Sequence, residues 1–393
     1  MNLENIRYQV SKNTQRILAV FTIIGLLIFI TGLFVAPKRI WPNFLIAEFY
    51  VLSLSLGAAL YMAIHYAANS GWDAAIKRVP EVVSTFLPIA AIGGLVLILG
   101  IHPLYEWSHE AVVANDKILL QKRPWLNETF FIIRLLIYFI IWIGFSQRIV
   151  RNSLLQDRQA DLDLTQKNVK NSVLFIVFGG ISLIFASIDL LMSLQPHWYS
   201  TVFPLIILSG LLVSGIAVVT IFVIILRKAG FDHVFTREHL ATLGSLLMSF
   251  SVFWVYMWVS QHLLIWYSNL PEETSYYIFR HFGGWGSLSL LNVVLNWFIP
   301  FMVLLPRATK RNDKVLMQMA IVLLVGHWLD LYIIVMPVFI GDHPLISVWE
   351  IGPMLGFVSL FFLFVLRKLS KVNIIPVNDP YLVESIPGLA DDH

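Results

Sequence analysis
The sequence predicts an all-α polytopic membrane protein that crosses the bilayer about ten times. Its 393 residues are 58% apolar and 13% charged, with a mean hydropathy of +0.76. A soluble domain is about 45–50% apolar and about 25% charged. Ten apolar segments reach the roughly 20 residues that a helix needs to cross a bilayer core of about 30 Å. A β-barrel would instead show segments of about 10 residues alternating in polarity. A run such as Leu205 to Leu226, without one ionisable side chain, is too long and too uniform for that.

The first segment, 16–36, is too long for a signal-peptide core and lacks a small-residue cleavage site, so it counts as helix 1. It follows Arg7, Lys12 and Arg16, and Lys38 and Arg39 separate it from helix 2 at 43–67. Lys77 and Arg78 precede helix 3 at 82–103. The loop 104–128, with Trp107, His109, Glu110, Lys117 and Trp125, leads to helix 4 at 129–148. A charged, helix-like stretch at 149–170 is expected to lie at the membrane interface before helix 5 at 171–193. Helix 6 at 202–226 stops at Arg227 and Lys228, and helix 7 at 240–267 follows Arg237. Helix 8 covers 284–305. Helix 9 covers 315–338, after Arg307, Lys310, Arg311 and Lys314. Helix 10 covers 345–366, before Arg367, Lys368 and Lys371. The tail from Asn373 to His393 holds three Pro and ends Asp391-Asp392-His393; it is expected to be extended unless a partner orders it.

Twenty of the 27 Lys and Arg fall on the side that holds the N-terminus and six on the other, with Arg134 inside helix 4. This bias places both termini in the cytoplasm. The small net charge of +3 points to no nucleic-acid partner, and the aromatic share of 14% suits lipid-facing surface. With no Cys, disulfides, thiolate metal sites, cysteine-ligated Fe–S clusters and thioether-bound haem are excluded.

An internal repeat is visible. Helix 5 has Asp189-Leu190 with Pro196 seven residues after the Asp, and helix 9 has Asp330-Leu331 with Pro337 at the same spacing. Helix 3 ends His102-Pro-Leu-Tyr105 and helix 7 ends with His262 and Tyr267. Both pairs are four helices apart, which suggests two parallel four-helix units flanked by helices 1 and 10. The expected divisions are 1–42, 43–200, 201–340 and 341–393.

A charged group at mid-bilayer costs at least about 2.5–3.5 kcal/mol, so each one needs a reason. The candidates for proton transfer are Asp189, Asp330, His327, Arg134, Glu48, His262 and His102. Most lie in the outer half of the bilayer. His327 and Asp330 are three apart on one helix face and suit proton exchange. Arg134 needs an acid, and Glu48 or Asp189 is at the right depth. Asn292 and Asn296, one turn apart, suit water or a relay. The alternative is that these groups form buried ion pairs that only fix helix register. Glu350 reads as interfacial, and His102 as a cap or a carrier. His65 and His239 are expected near the inner face, where the polar groups are too few to make a half-channel. Gly93-Gly94, Gly179-Gly180 and Gly210 with Ser214 read as close helix contacts. Trp107, Trp198, Tyr199, Trp266, Tyr267, Tyr276 and Tyr277 read as an interfacial belt.

The stretch Ser187-Ile-Asp189-Leu-Leu-Met-Ser-Leu-Gln-Pro196-His197-Trp198-Tyr-Ser-Thr-Val-Phe203, with its partial echo Asp330 to Pro337, resembles the smaller NrfD-like membrane subunit (ActF type) of alternative complex III. The resemblance spans nearly the whole chain, and the Asp with Pro-His-Trp seven residues on is its most specific part. It implies a subunit of a bacterial respiratory or photosynthetic quinol:electron-acceptor oxidoreductase in the inner (cytoplasmic) membrane. Menaquinone or another quinone would bind at or near it, and haems and Fe–S clusters would sit on partner subunits. The implied partners are a larger NrfD-like quinol-binding subunit, an Fe–S subunit and multi-haem c-type cytochromes. Cytochrome c or a terminal oxidase would accept the electrons, and lipids would surround the chain. This chain, with no redox centre of its own, would supply a proton route through Asp189, Asp330, His327 and Arg134.

Three readings compete with it. An ion-coupled secondary transporter would use Asp189 and Asp330 as repeat-related coupling sites, although Pro88, Pro204 and Pro300 read as lying near helix ends rather than at the midplane. A b-type haem protein would use His102 and His262. A purely structural anchor for peripheral redox subunits would use the carboxylates only to hold helices together.

Overall fold
A computed structural model of the chain describes residues 6–281 and 283–386; the Asp391-Asp392-His393 end of the tail lies outside them. Among the described residues, ten helices are long and apolar enough to cross a membrane. They are α1 (Lys12–Val35), α2 (Pro37–Ala67), α3 (Ala74–Leu104), α4 (Glu128–Gln156), α5 (Leu162–Leu194), α6 (Phe203–Phe231), α7 (Arg237–Ser268), α8 (Trp285–Leu304), α9 (Asp313–Val335) and α10 (Val348–Leu369). The molecule is an all-α polytopic membrane protein, as its composition requires. Large apolar side chains such as Phe34, Leu99 and Ile140 face outward, a surface that only lipid or a partner tolerates.

The centre is α2 and α6, buried along nearly their whole length. A helix that is apolar all round belongs in a core, and α6 has no charge between Phe203 and Leu226. α2 packs on α3, α5, α6 and α10, and α6 packs on α7 and α9; α4 lies on α5, and α8 on α9. The two groups α2–α5 and α6–α9 therefore share one neighbour pattern. Glycines set the closest approaches. A Cβ on Gly57 of α2 would lie 2.2 Å from the Leu211 carbonyl oxygen and 3.0 Å from Gly215 Cα of α6. A Cβ on Gly25 of α1 would lie 2.3 Å from Gly356 Cα of α10, the helix that carries most of α1's packing.

These pairs differ from the glycines singled out in the sequence. Gly93, Gly94 and Gly210 do make room, for Glu48, Phe139 and His327 respectively. Gly180 has nothing within 4 Å of a built Cβ, and Gly179 meets only Phe175 of its own helix. Apolar periodicity cannot tell a helix-contact glycine from a lipid-facing one.

Residues 149–170 form no separate helix of their own. α4 runs on to Gln156 and α5 starts at Leu162, capped by the Asp161 carboxylate on the Asp163 amide. Side-chain bonds close the hairpin: Gln156 Nε2 to Thr165 Oγ1 at 2.7 Å, and Asn152 Nδ2 to Asn168 Oδ1 at 3.0 Å. Polar residues of this stretch pair two extended helices.

Among the described residues, α3 and α8 are each broken next to a proline that reads as near a helix end. α3 turns at Thr85–Phe86 just before Pro88. α8 holds a π-turn at Val294–Phe298, followed by Pro300. Proline has no N–H to give the carbonyl four residues back. The Asn296 carbonyl, so released, accepts from the Ser251 hydroxyl of α7 at 2.5 Å.

Both described ends share one face, called proximal here, where the Ile374 amide donates to the Ile6 carbonyl. The tail up to Ile386 is ordered by the chain's own proximal face. Lys77 pairs with Asp379 at 2.9 Å, and the Ser385 hydroxyl donates to the Trp72 carbonyl while accepting from the Ala75 amide. The opposite face is called distal.

Candidate functional site
Near the distal end of the first helix group, Asp189 of α5 meets Arg134 of α4. Arg134 Nε donates to Oδ2 at 2.7 Å and Nη2 to Oδ1 at 3.0 Å. Tyr138, one turn further along α4, donates its hydroxyl to Oδ2 at 2.7 Å, and Trp125 Nε1 donates to Oδ1 at 3.0 Å. Each carboxylate oxygen therefore has two donors. The remaining Arg134 nitrogen, Nη1, bonds the Trp125 carbonyl, and the guanidinium sits 4.3 Å from both the Trp125 and Phe130 ring centres. Both residues are buried. This is a closed, neutral, bidentate pair, the arrangement in which a buried arginine is most tolerable.

Glu48, the other acid at that depth, is not Arg134's partner. Its two oxygens are buried and accept no hydrogen bond among the described residues. It points at Gly93, where a Cβ would lie 2.1 Å from Oε2. Beside it is a void of about 10 Å³ lined by Leu45, Phe49, Leu52 and Leu97, at the lower limit for one water.

Asp330 of α9 is surrounded differently. Asn292 Nδ2 of α8 donates to Oδ1 at 2.7 Å and Trp254 Nε1 of α7 donates to Oδ2 at 3.2 Å. Both donors are neutral, and Asp330 has no ion-pair partner among the described residues. From Asn292 the polar contacts continue one turn toward the proximal face: Asn296 Nδ2 donates to Asn292 Oδ1 at 2.6 Å. Asn296 sits in the π-turn of α8, and Gly326 of α9 makes room for it, since a Cβ there would lie 2.7 Å from Asn296 Oδ1. π-turns inside α-helices are frequent at functional sites.

His327 shares the helix face but not the site. Its ring stacks on Tyr50 of α2, centres 5.6 Å apart, beside Gly210 of α6, and neither ring nitrogen has a partner among the described residues. The three-residue spacing brings both side chains into the core, His327 toward α2 and α6 and Asp330 toward α7 and α8.

On the distal side, His262 Nε2 lies 2.8 Å from His281 Nε2, and His281 stacks on Tyr277. Asp330 is close enough to Tyr276 and Tyr277 to act on their hydroxyls electrostatically. Burial, then the neighbouring His262 and Arg280, push His281 down to about 4. His102 is separate from this group. It is mostly exposed, its Nδ1 lies 3.1 Å from the Ser108 hydroxyl, and its Nε2 lies 3.4 Å from Glu128. With Glu110, Arg123 and Glu128 it lines a cavity of about 600 Å³ among the loop helices. An uncharged quinol would have to desolvate three charged side chains there, so this lining does not suit it.

The resemblance stretch ties the distal loops together. His197 Nε2 lies 2.6 Å from Asp116, which this bond holds below the usual carboxylate range. Gln195 accepts from Arg280 at 2.8 Å, and Trp198 stacks on Tyr276 with centres 3.8 Å apart. Trp107, Trp198 and Tyr276 are thus buried, whereas Tyr199, Trp266 and Tyr267 are exposed as a belt requires. Glu350 is also buried. It closes a capping box with Ser347 and pairs with Arg39 at 2.6 Å, so it is a helix-start anchor rather than a headgroup contact.

Sequence reading missed a proximal group. Asp73, in the turn between α2 and α3, is fully buried, and its two oxygens have no hydrogen-bond partner among the described residues. Neither has the buried Tyr61 hydroxyl, which feels the Asp73 charge. Burial pushes Asp73 up, against the lowering pull of His65 and Lys77. Glu81 and Arg78 are likewise buried, but ion-paired: Arg78 pairs with Glu81 at 2.7 Å and with Asp157 at 2.6 Å. Nothing local in the sequence reveals that the tail covers this turn.

No family model matches the chain, and no curated protein matches it.

Proposed function
We propose that the chain is an integral membrane subunit that carries protons for a quinol-oxidising assembly of the alternative complex III type. Asp330 is its central group. One observation carries this: a buried carboxylate inside a spanning helix with neutral donors and, among the described residues, no cation paired to it. A register-fixing acid is better served by the arrangement at Asp189, where the charge is cancelled on the spot. A group that gains and loses a proton must be tolerable in both states, and two neutral donors with no fixed counter-charge allow that.

In this reading Asn292 and Asn296 orient water on the proximal side of Asp330. Tyr277, His281 and His262 lead toward the distal face, and Asp73 with Tyr61 and His65 forms the proximal mouth. Asp189 and Arg134 hold α4 to α5. The partners would be a larger NrfD-like quinol-binding subunit, an Fe–S subunit and multi-haem cytochromes, in a bacterial inner membrane with the proximal face cytoplasmic. The support is the motif Asp189 to Phe203 together with the two-group packing.

The test is purification from native membranes followed by reconstitution. Haem and Fe–S subunits should arrive with the chain. Asp330→Asn should assemble and oxidise quinol but deliver fewer protons per quinol, with Asp189→Asn impairing assembly instead. Wild-type proton yield in Asp330→Asn contradicts the proposal. The breaks in α3 and α8 favour a transporter as the second reading. Arrival of the chain alone, with ion-driven solute uptake in liposomes, would select it.

A further inference from the structure
At the proximal end of α10, Arg367, Lys368 and Lys371 rim a groove of about 200 Å³ whose other walls are Leu360, Leu363 and Phe364. The spacing puts Leu360, Leu363, Phe364, Arg367 and Lys368 on one stripe of the helix, and Lys371 follows in the turn just past its end. The stripe is apolar for its inner turn and basic where the helix leaves the hydrocarbon. None of the three cations has an ion-pair partner among the described residues; Arg367 Nε donates only to the neutral Gln15 Oε1 of α1, at 3.0 Å. The helix C-terminus offers them roughly half a negative charge, so most of three positive charges is left uncompensated. The positive-side bias alone explains cations on this face. It does not explain why three of them converge on one concavity with an apolar wall.

We propose that this groove binds one anionic phospholipid. Its phosphate meets Arg367, Lys368 and Lys371, and an acyl chain lies along Leu360, Leu363 and Phe364. Basic pockets beside spanning helices suit such headgroups, and each cation adds about tenfold or less to the preference. Three should give on the order of a hundredfold preference for anionic over zwitterionic lipid.

The experiment is native mass spectrometry and thermal unfolding of the purified full chain, with whatever subunits accompany it. The probes are phosphatidylglycerol, cardiolipin, phosphatidylcholine and inorganic phosphate. One anionic lipid per chain should be retained and should raise the melting temperature, whereas phosphatidylcholine and inorganic phosphate should not. The variant Arg367→Gln/Lys368→Gln/Lys371→Gln should lose that lipid and the shift. Arg311→Gln, on the same face but paired with Glu238, should keep both. Equal retention by the triple variant, equal stabilisation by phosphatidylcholine, or stabilisation by inorganic phosphate alone overturns the proposal. Proton yield plays no part in these readouts, so they stand apart from the role of Asp330.

Discussion
Replacing Arg134 with methionine should cost the fold about 3–5 kcal/mol, the range for stranding one member of a buried ion pair. The structure favours the lower half of that range. Asp189 would keep two of its four donors, Tyr138 and Trp125, but would lose both guanidinium bonds while its charge stayed buried. Asp189→Leu should cost a similar amount by stranding the guanidinium. The double variant should be more stable than either single one, because it removes both charges and leaves only neutral groups unpaired. Tyr138→Phe is the scale marker: a single membrane hydrogen bond averages about 0.6 kcal/mol. The assay is reversible unfolding in bicelles, run as a double-mutant cycle. Additive single effects, each below about 1 kcal/mol, would refute the idea that this pair holds α4 to α5.

Other outcomes follow from particular contacts. Gly57→Ala should destabilise by about 1–3 kcal/mol, because the built Cβ meets backbone of α6 at 2.2 Å; Gly180→Ala, with open space, should stay within about 0.5 kcal/mol, and both are read by the same unfolding assay. His281 is held at about 4 in the fold against about 6.5 unfolded, so the unfolded chain binds more protons between those values. Stability should be fully present above about pH 6.5 and fall by at most about 3 kcal/mol on acidification toward pH 4. His281→Gln should flatten that part of a pH series of melting curves, and an unchanged slope would count against the pairing. Burial raises Asp73, so its folded form prefers the proton, and the stability it lends at low pH is lost as pH rises. Asp73→Asn should therefore raise the melting temperature at neutral pH by the equivalent of about 1 kcal/mol or more while lowering proton yield. A drop in melting temperature would mean that the carboxylate has a structural partner.

The ten helices were legible in the sequence because spans of this length and uniformity leave no other backbone solution in lipid. The pairing of Arg134 with an acid was legible from cost alone, and depth narrowed the acid to two. Which of the two was not legible, because Gly93 gives Glu48 a pocket and that close approach arises only when α2 meets α3. The spacing of His327 and Asp330 gave the shared face correctly, but three residues leave the two side chains about 60° apart around the helix axis, and each turned to a different neighbour. Asp73 stayed hidden because burial by a tail three hundred residues away leaves no periodic trace. The π-turn at Asn296 left only Pro300 as its signal.

If Asp330 carries protons, it exchanges one with water inside the membrane. Infrared difference spectroscopy on the purified protein, cycled between acidic and alkaline buffer, tests it most directly. A protonated-carboxyl band should appear on acidification, shift in D₂O and be missing in Asp330→Asn but kept in Asp73→Asn. An Asp330 carboxyl that gives no such band, or one that does not respond to D₂O, would contradict it.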